Sequence, residues 1–226
     1  MSEAEFDRFA DDYAVKLNES IRFSGEQYDY FNLYKLRCLR NWVIGDRENL
    51  TILDFGCGVG KLSYLLAAAY PKSVLYGVDV SEKSVQSAQK NPFGLTNLHF
   101  SNTLPRTKMF DVIYAANVFH HIKCEDRQEV LGALRAVMNP LAKLAIFEHN
   151  PWNPFTRYVV KTCPFDADAN LIRLGGFVKI ARQAGLKTVQ RRYIVFFPRF
   201  LAFLRGLEPS LGFFPLGAQY MLVLVR

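Results

Sequence analysis

Several features that would point to a particular class of protein are scarce or missing in this 226-residue sequence. The four cysteines show neither the CxxC spacing of a zinc site nor the density of a disulfide framework, so we expect reduced thiols and no metal. No apolar run reaches the roughly 18 residues that cross a bilayer, and the acidic, polar start of the chain is unlike a signal peptide. These absences predict a cytoplasmic protein.

Runs of basic residues are also missing, although the net charge is +7. Scattered positive charge is typical of an ordinary solvated surface, but it leaves open an acidic or lipid-linked small-molecule partner and a peripheral contact with a membrane. Half of the residues are hydrophobic, which is enough to build a full core, and the length predicts a single domain.

Short β-branched runs alternate with helical stretches from residue 50 onward. Strands are predicted at 51–55, 74–78, 97–100, 111–115 and 142–147, and helices at 61–70, 81–90 and 126–138. The last third predicts a helix at 171–184 and strands at 187–197 and 218–225, with a loop rich in proline and glycine between them. This alternation predicts a parallel sheet with helices on both faces. Residues 1–48 have a helical pattern, but neither they nor residues 150–170 fit the strand–helix alternation. Segments of this kind are typical of insertions that form a substrate site.

A glycine-rich turn follows the first predicted strand, in the segment TILDFGCGVG. Gly56, Gly58 and Gly60 permit a tight turn and let a ligand approach the backbone closely. A nicotinamide enzyme would have G-x-G-x-x-G here, but Lys61 stands where the third small residue belongs. Asp54 is poorly placed beside a pyrophosphate and well placed beside an ammonium group, which favours a cofactor with positive charge and no phosphate.

A second acid, Asp79, ends the second predicted strand, 19 residues after Gly60. An acid about 20 residues beyond such a turn can accept hydrogen bonds from both ribose hydroxyls of a nucleoside. Asp79 could instead cap the following helix, but Ser81 fills that role better. The two motifs together predict a ligand that contains a nucleoside.

Four features together resemble the class I S-adenosylmethionine-dependent methyltransferases: the segments 52–60, 77–81 and 110–122, and the acid Glu148 after the fifth strand. The resemblance covers residues 50–150 and is looser elsewhere. It implies a Rossmann-like α/β fold, with a doubly wound seven-stranded sheet that is mostly parallel and has an antiparallel last strand. It also implies that S-adenosylmethionine lies across the carboxyl ends of strands one, two and four.

The resemblance assigns a part to each region of the single domain 1–226. Residues 1–48 would form a helical lid, 49–150 the cofactor-binding core, and 151–226 the substrate-side insertion and C-terminal strands. The residues implied in cofactor binding are Asp54, Gly56, Gly58, Gly60, Asp79, Val80, Asn102 and Asn117.

Asn102 marks one departure from the family pattern. Such proteins often carry Gly-Asp-Ala before the Leu-Pro that precedes strand four, and the aspartate contacts adenine N6. This chain has Ser101, Asn102 and Thr103 there. The amide oxygen of Asn102 could accept the same hydrogen bond, or Asn102 could be a turn residue.

Three histidines follow the fourth and fifth predicted strands, where a doubly wound sheet places its ligands. Methyl transfer depends mainly on alignment, but a hydroxyl acceptor also needs a base, and imidazole titrates near neutral pH. We expect His149 to be that base, His121 to lie near the acceptor, and His120 to contribute to the substrate side. Each of them could instead be a hydrogen-bonded structural residue.

The N-terminal segment offers Tyr13 and Tyr28 as lid residues. In similar enzymes such a segment folds over the cofactor. Aromatic residues at these spacings are also typical of an ordinary pair of amphipathic helices.

The predicted reaction is transfer of a methyl group to a small-molecule acceptor, with a hydroxyl in a saccharide, lipid-linked or natural-product pathway as the first expectation. The Phe-rich stretch 193–214 favours a quinone or lipid acceptor as the alternative. An RNA-binding methyltransferase-like protein is a third interpretation, but the tetrapeptide Asn-Pro-Pro-Tyr is missing, so we expect no nucleic acid. Intact Asp54 and Asp79 argue against a binding module without catalysis.

Overall fold

A computed structural model describes residues 18–90, 92–163, 166 and 168–226. Its centre is a seven-stranded sheet. The strands are β1 (Thr51–Phe55), β2 (Val74–Val78), β3 (Leu98–Ser101), β4 (Phe110–Ala116), β5 (Met138–His149), β6 (Lys187–Ile194) and β7 (Gln219–Val225). Their order across the sheet is β3-β2-β1-β4-β5-β7-β6.

The direction of strand addition reverses at β1, which pairs in parallel with both β2 and β4. At such a switch point a crevice for ligands forms outside the carboxyl ends of the strands. Only β7 runs against its neighbours, since it pairs antiparallel with both β5 and β6. These pairings confirm the predicted seven-stranded, doubly wound sheet with an antiparallel last strand.

Helices cover both faces of the sheet. They are α1 (Tyr28–Leu39), α2 (Lys61–Ala69), α3 (Glu82–Gln89), α4 (Arg127–Ala136), α5 (Pro154–Thr162), α6 (Leu174–Gln183) and α7 (Glu208–Leu211). A π-helical turn, Arg40–Ile44, extends α1, and 3₁₀ segments occupy Arg22–Ser24, Phe119–His121 and Arg199–Leu207. None of the helices in the described ranges is long and apolar enough to cross a bilayer.

Consecutive residues of β1 pack on opposite faces, as the two-residue period of a strand requires. Ile52 packs in one cluster with Leu39 of α1 and Leu66 of α2. Leu53 packs in the other with Phe177 of α6. All five side chains are almost fully inaccessible to solvent, so the sheet is covered on both sides and its functional surface is the edge where the strands end.

Two segments that were expected to be irregular contain helices. In the first, Asn153 caps the start of α5: its Oδ1 accepts a hydrogen bond from the N–H of Thr156 at 2.9 Å, and Pro154 takes the first helical position. This asparagine–proline pair is a helix-start signal in the sequence, and the sequence analysis predicted no helix there. In the second, the excursion between β6 and β7 is built from a 3₁₀ segment and α7 instead of an open loop.

Candidate functional site

A cavity of about 1210 Å³ lies outside the carboxyl ends of β1, β2 and β4. Apart from Gly60, every predicted site residue that the structure describes lines its wall. Tyr28 lines it from α1, and its role in a lid stays a prediction, whereas Tyr13 lies outside the described residues.

The glycine turn after β1 forms the floor of the cavity. Gly56 and Gly58 have φ angles of +76° and +52°, which residues with a side chain rarely adopt. A Cβ at Gly56 would collide with Val118, whereas a Cβ at Gly58 would meet nothing within 4 Å and would occupy the cavity itself. Gly58 therefore keeps space free for a ligand, and Gly56 allows the turn to pack against the loop after β4.

Gly60 has a different role from the one predicted. Its φ is +79°, and a Cβ there would come within 2.7 Å of the Phe100 ring on β3. It precedes the first turn of α2 and is buried behind the cavity wall. The third glycine thus shapes the turn and the packing, and the structure places it away from the ligand space.

Asp79 holds the glycine turn in place. Its Oδ2 accepts a hydrogen bond from the N–H of Gly58 at 2.7 Å, and its Oδ1 accepts one from the N–H of Ser81 at 3.0 Å. Ser81 caps α3 by accepting from the N–H of Ser84, which confirms the cap assignment. Sequence reasoning missed the contact with Gly58, which gives Asp79 a structural role. The contact of Asp79 with the ribose remains a prediction.

Asp54 is the deeply buried acid of the site. It is 3% exposed, and Ser63 donates a hydrogen bond from Oγ to its Oδ2 at 2.5 Å. Burial is the main reason that its pKa rises to about 7, and the nearby charge of Asp79 adds to the rise. A carboxyl group held in this way is ready to ionise when a cationic ligand group arrives.

We expect the affinity for S-adenosylhomocysteine to increase about tenfold from pH 6 to pH 8. An ammonium group bound beside Asp54 favours its ionised form, so binding near pH 6 releases the proton that the free carboxyl group retains up to about pH 7. Titration calorimetry in buffers of different ionisation enthalpy measures this proton release. Asp54→Asn should weaken binding and remove the pH dependence, and an unchanged pH dependence in that variant would contradict the assignment.

Asn117 gives a second acceptor at the same end of the cavity. It follows β4 with a φ of +61°, and its N–H donates to the carbonyl of Phe147 at 2.8 Å. Its Oδ1 is buried and has no hydrogen-bond partner among the described residues. Because buried acceptors are normally satisfied, this oxygen indicates a donor group on a bound ligand.

The remaining predicted cofactor residues, Val80 and Asn102, lie on the exposed rim of the cavity. Val80 follows β2 and Asn102 follows β3, so both lie near Asp79. Taken with the free Oδ1 of Asn117, the carboxyl group of Asp54 and the open space at Gly58, they fit a ligand with a nucleoside at one end and an ammonium group at the other.

Glu148 organises the histidines beyond the end of β4. It is 1% exposed, and its Oε1 accepts hydrogen bonds from the N–H groups of Val118 and Phe119 at 3.0 and 2.7 Å. Its Oε2 lies 2.6 Å from Nδ1 of His120. The other ring nitrogen of His120, Nε2, lies 3.3 Å from Oδ1 of Asp166. His120 is therefore held between two carboxylates.

The three histidines differ in their pKa values because of this arrangement. Burial alone would lower the pKa of His120, but Glu148 and Asp166 outweigh it and raise the pKa to about 9. Burial and the charge of His120 lower the pKa of His121 to about 3 and that of His149 to about 4. At neutral pH the site thus holds one imidazolium and two neutral imidazoles.

Asp166 is a site residue that the sequence did not reveal. It lies four residues after the last residue of α5, and no motif distinguishes it. One potential ligand atom each from Asp166, His120 and His121 lie within 4.8 Å of one another, a spacing that cation sites also show. The proton on His120 already balances one of the two carboxylates, and the absence of a metal requirement stays a prediction.

Aromatic side chains line the opposite part of the cavity. They come from α5 and from the excursion between β6 and β7, and include Phe155, Phe196, Phe197, Phe200 and Phe214. Three of these rings are also exposed to solvent, Phe155 by 57%, Phe200 by 72% and Phe214 by 45%. The cavity thus opens to solvent between apolar surfaces.

A hydrogen-bonded link joins α1 to this excursion. Tyr34 donates from its hydroxyl to Oε2 of Glu208 at 2.5 Å. Oε1 of the same carboxylate accepts from the N–H groups of Phe196 and Phe197 at 3.0 and 3.1 Å. The N-terminal helix and the aromatic wall are thereby fixed to each other.

Residues 53–144 match a family model described as a methyltransferase domain. A malonyl-[acyl-carrier protein] O-methyltransferase of Halalkalibacterium halodurans is 29% identical over 112 residues, which are 46% of this chain and 41% of the relative. A mitochondrial ubiquinone biosynthesis O-methyltransferase of Candida albicans is 30% identical over 104 residues, which are 42% of this chain and 32% of the relative. The chain thus spans less than half the length of these relatives.

Solved structures give a likeness over nearly the whole chain. An S-adenosylmethionine-dependent methyltransferase from Archaeoglobus fulgidus matches with a TM-score of 0.70 and 15% identity, covering 95% of this chain and all of that one. Magnesium protoporphyrin IX methyltransferase from Synechocystis PCC 6803, solved with bound S-adenosylmethionine, matches with a TM-score of 0.62 and 19% identity, covering 93% of this chain and 83% of that one. The resemblance seen in the sequence is confirmed: the chain contains a methyltransferase domain, and its fold is that of the class I S-adenosylmethionine-dependent methyltransferases.

Proposed function

We propose that this protein transfers a methyl group from S-adenosylmethionine to an oxygen of a small molecule with an apolar body. The observation that carries this proposal is one continuous cavity, which runs from Asp79 and Asp54 at one end to the histidine group and the aromatic wall at the other. One continuous space can therefore hold a cofactor and an acceptor next to each other.

The residues at the first end would bind the cofactor. Asp79 would contact the ribose, Asn102 the adenine, and Asp54 with Asn117 the ammonium group of the methionine portion. When bound, S-adenosylmethionine supplies a methyl group on a positively charged sulfur. The protein's contribution is to hold the acceptor oxygen in line with that methyl group and to keep water out.

His149 supports a hydroxyl acceptor. Its ring lies at the end of β5, is partly exposed in the cavity wall, and has its centroid 5.1 Å from that of His120. The low pKa of His149 keeps it unprotonated at neutral pH but makes it a weaker base than an ordinary imidazole. It can still take the hydroxyl proton as the C–O bond forms, because the oxygen becomes strongly acidic when it is alkylated. His120 keeps its own proton between Glu148 and Asp166 and serves to position the group.

The aromatic wall favours the lipid- or quinone-type acceptor over a saccharide. Five phenylalanines from α5 and the 193–214 stretch contribute to it, and sites for apolar ligands are lined in this way, with few polar groups. The named relatives act on malonyl-[acyl-carrier protein], in ubiquinone biosynthesis and on magnesium protoporphyrin IX. The names of these relatives support a small-molecule acceptor for this protein. We expect no nucleic acid as a partner.

The proposal predicts that the purified chain binds S-adenosylhomocysteine in the presence of EDTA. The groups that would hold the cofactor are carboxyl, amide and backbone groups, so binding needs no metal ion. Isothermal titration calorimetry on a sample shown to be folded by circular dichroism measures the affinity. No binding up to millimolar ligand would refute the proposed cofactor, and binding lost on adding EDTA would refute the metal-free site.

A further inference from the structure

One face of α1 turns polar side chains toward the cavity. Tyr28, Asn32 and Lys35 recur at helical spacing, and all three line the cavity wall. Lys35 is the unusual member, because it is only 4% exposed. Lysine is almost never fully buried in proteins unless it is paired, so this position calls for a partner.

No carboxylate in the described part of the chain pairs with Lys35. None lies within 4.0 Å of its Nζ, and Glu148 acts on it only as a more distant charge. The carboxylate of Glu148 is already satisfied by two backbone N–H groups and His120. Burial lowers the pKa of Lys35 to about 8, which still leaves the amine mostly protonated at neutral pH. A buried ammonium group of this kind is stabilised when an anion binds beside it.

Lys35 lies toward the acceptor end of the cavity. At the start of α1, burial raises the pKa of Tyr28 to about 12, and the charge of Asp54 adds to that rise, so Tyr28 is near the cofactor end. Lys35 is seven residues further on, about 10 Å along the helix. There its charge is close enough to affect His149. The pKa of His149 is lowered mainly by burial and by the charge of His120, and the charge of Lys35 lowers it further.

We propose that Lys35 binds a carboxylate of the methyl acceptor, which makes the acceptor an apolar acid. This inference rests on the proposed function and assigns a chemical class to its acceptor. The carboxylate would pair with Lys35, while the apolar body would lie against the wall that includes Phe155 and Phe200. An acid bound in this way would be chosen over a neutral molecule of the same shape.

A matched pair of probes tests this assignment. 2-Naphthoate and 2-naphthamide have nearly the same shape and differ in charge, and their affinities are measured by titration calorimetry on the full chain with saturating S-adenosylhomocysteine. We expect the wild type to bind the carboxylate at least about tenfold more tightly than the amide. Lys35→Met should remove this preference and Lys35→Arg should retain most of it. Lys123→Met is the control, because Lys123 lines the same cavity but is exposed.

Several outcomes would overturn the proposal. They are equal affinity of the wild type for the two probes, binding of neither, and loss of the preference in Lys123→Met but not in Lys35→Met. A tenfold loss of S-adenosylhomocysteine affinity in Lys35→Met would assign Lys35 to the carboxylate of the cofactor instead. If Lys35→Met fails to fold, the proposal is tested with Lys35→Gln, which should also lose the preference for the carboxylate, and with the affinities of the wild type for the two probes. Failure of the proposed function is seen separately, as absent S-adenosylhomocysteine binding, and the probes are then compared without it.

Discussion

Asp79→Ala is expected to weaken S-adenosylhomocysteine binding at least about tenfold, and about a hundredfold if two hydrogen bonds to the ribose are lost. Each hydrogen bond to a charged group contributes about 1.5–3 kcal/mol, and about 1.4 kcal/mol corresponds to a factor of ten in affinity. The structure adds a second reason for the loss. Without the carboxylate, the N–H of Gly58 loses its acceptor at 2.7 Å and the glycine turn is no longer held in its binding conformation.

Ser81→Ala separates ligand binding from helix capping. It removes the side chain that accepts from the N–H of Ser84, so it should lower the free energy of unfolding by about 1 kcal/mol. Its effect on S-adenosylhomocysteine affinity should be small, because Asp79 is kept. Titration calorimetry and thermal unfolding measure the two effects. Wild-type affinity in Asp79→Ala would show that the carboxylate serves only the local backbone.

The sequence predicts the strands of this sheet most accurately where they are central and apolar. The bounds predicted for β1 and β2 are those of the structure, because both are short apolar runs that end at a glycine turn or an acid. The start of β5 was missed by four residues. Pro140 argues against a strand there, but a register shift opposite β4, between Phe110 and Val112, accommodates the irregular start.

The site was predicted where it depends on strand ends and missed where it depends on packing between distant segments. Strand order alone brings Asp54, Asp79 and Asn117 to one edge of the sheet, so their motifs were sufficient. Asp166 lies 46 residues after His120 in the sequence, and only the tertiary fold brings the two side chains together. Likewise, the sequence predicts that residues near Lys35 form a helix, but the side that faces the cavity is set by how α1 packs.

The second large effect concerns His149, which we expect to be the base for a hydroxyl acceptor. His149→Ala should lower the catalytic rate by roughly 10²–10⁴ while leaving the affinity for S-adenosylhomocysteine nearly unchanged. The reason is its place in the cavity wall at the end of β5, beyond the residues that would hold the cofactor. A purely structural histidine would instead affect thermal stability and cofactor binding together, with a modest loss of rate.

The pH dependence of this effect differs from that of an ordinary histidine. A base works when it is unprotonated, so the wild-type rate at saturating S-adenosylmethionine should rise with pH through the His149 pKa of about 4 and be level near pH 6.5. In His149→Ala this ascending limb should be absent. The rate is measured from pH 3.5 to 7.5, with circular dichroism at each pH to exclude unfolding, and His99→Ala, on the exposed side of β3, is the control. A rate within about threefold of wild type in His149→Ala would leave His121 as the candidate base, and full activity in both variants would mean that alignment and exclusion of water suffice.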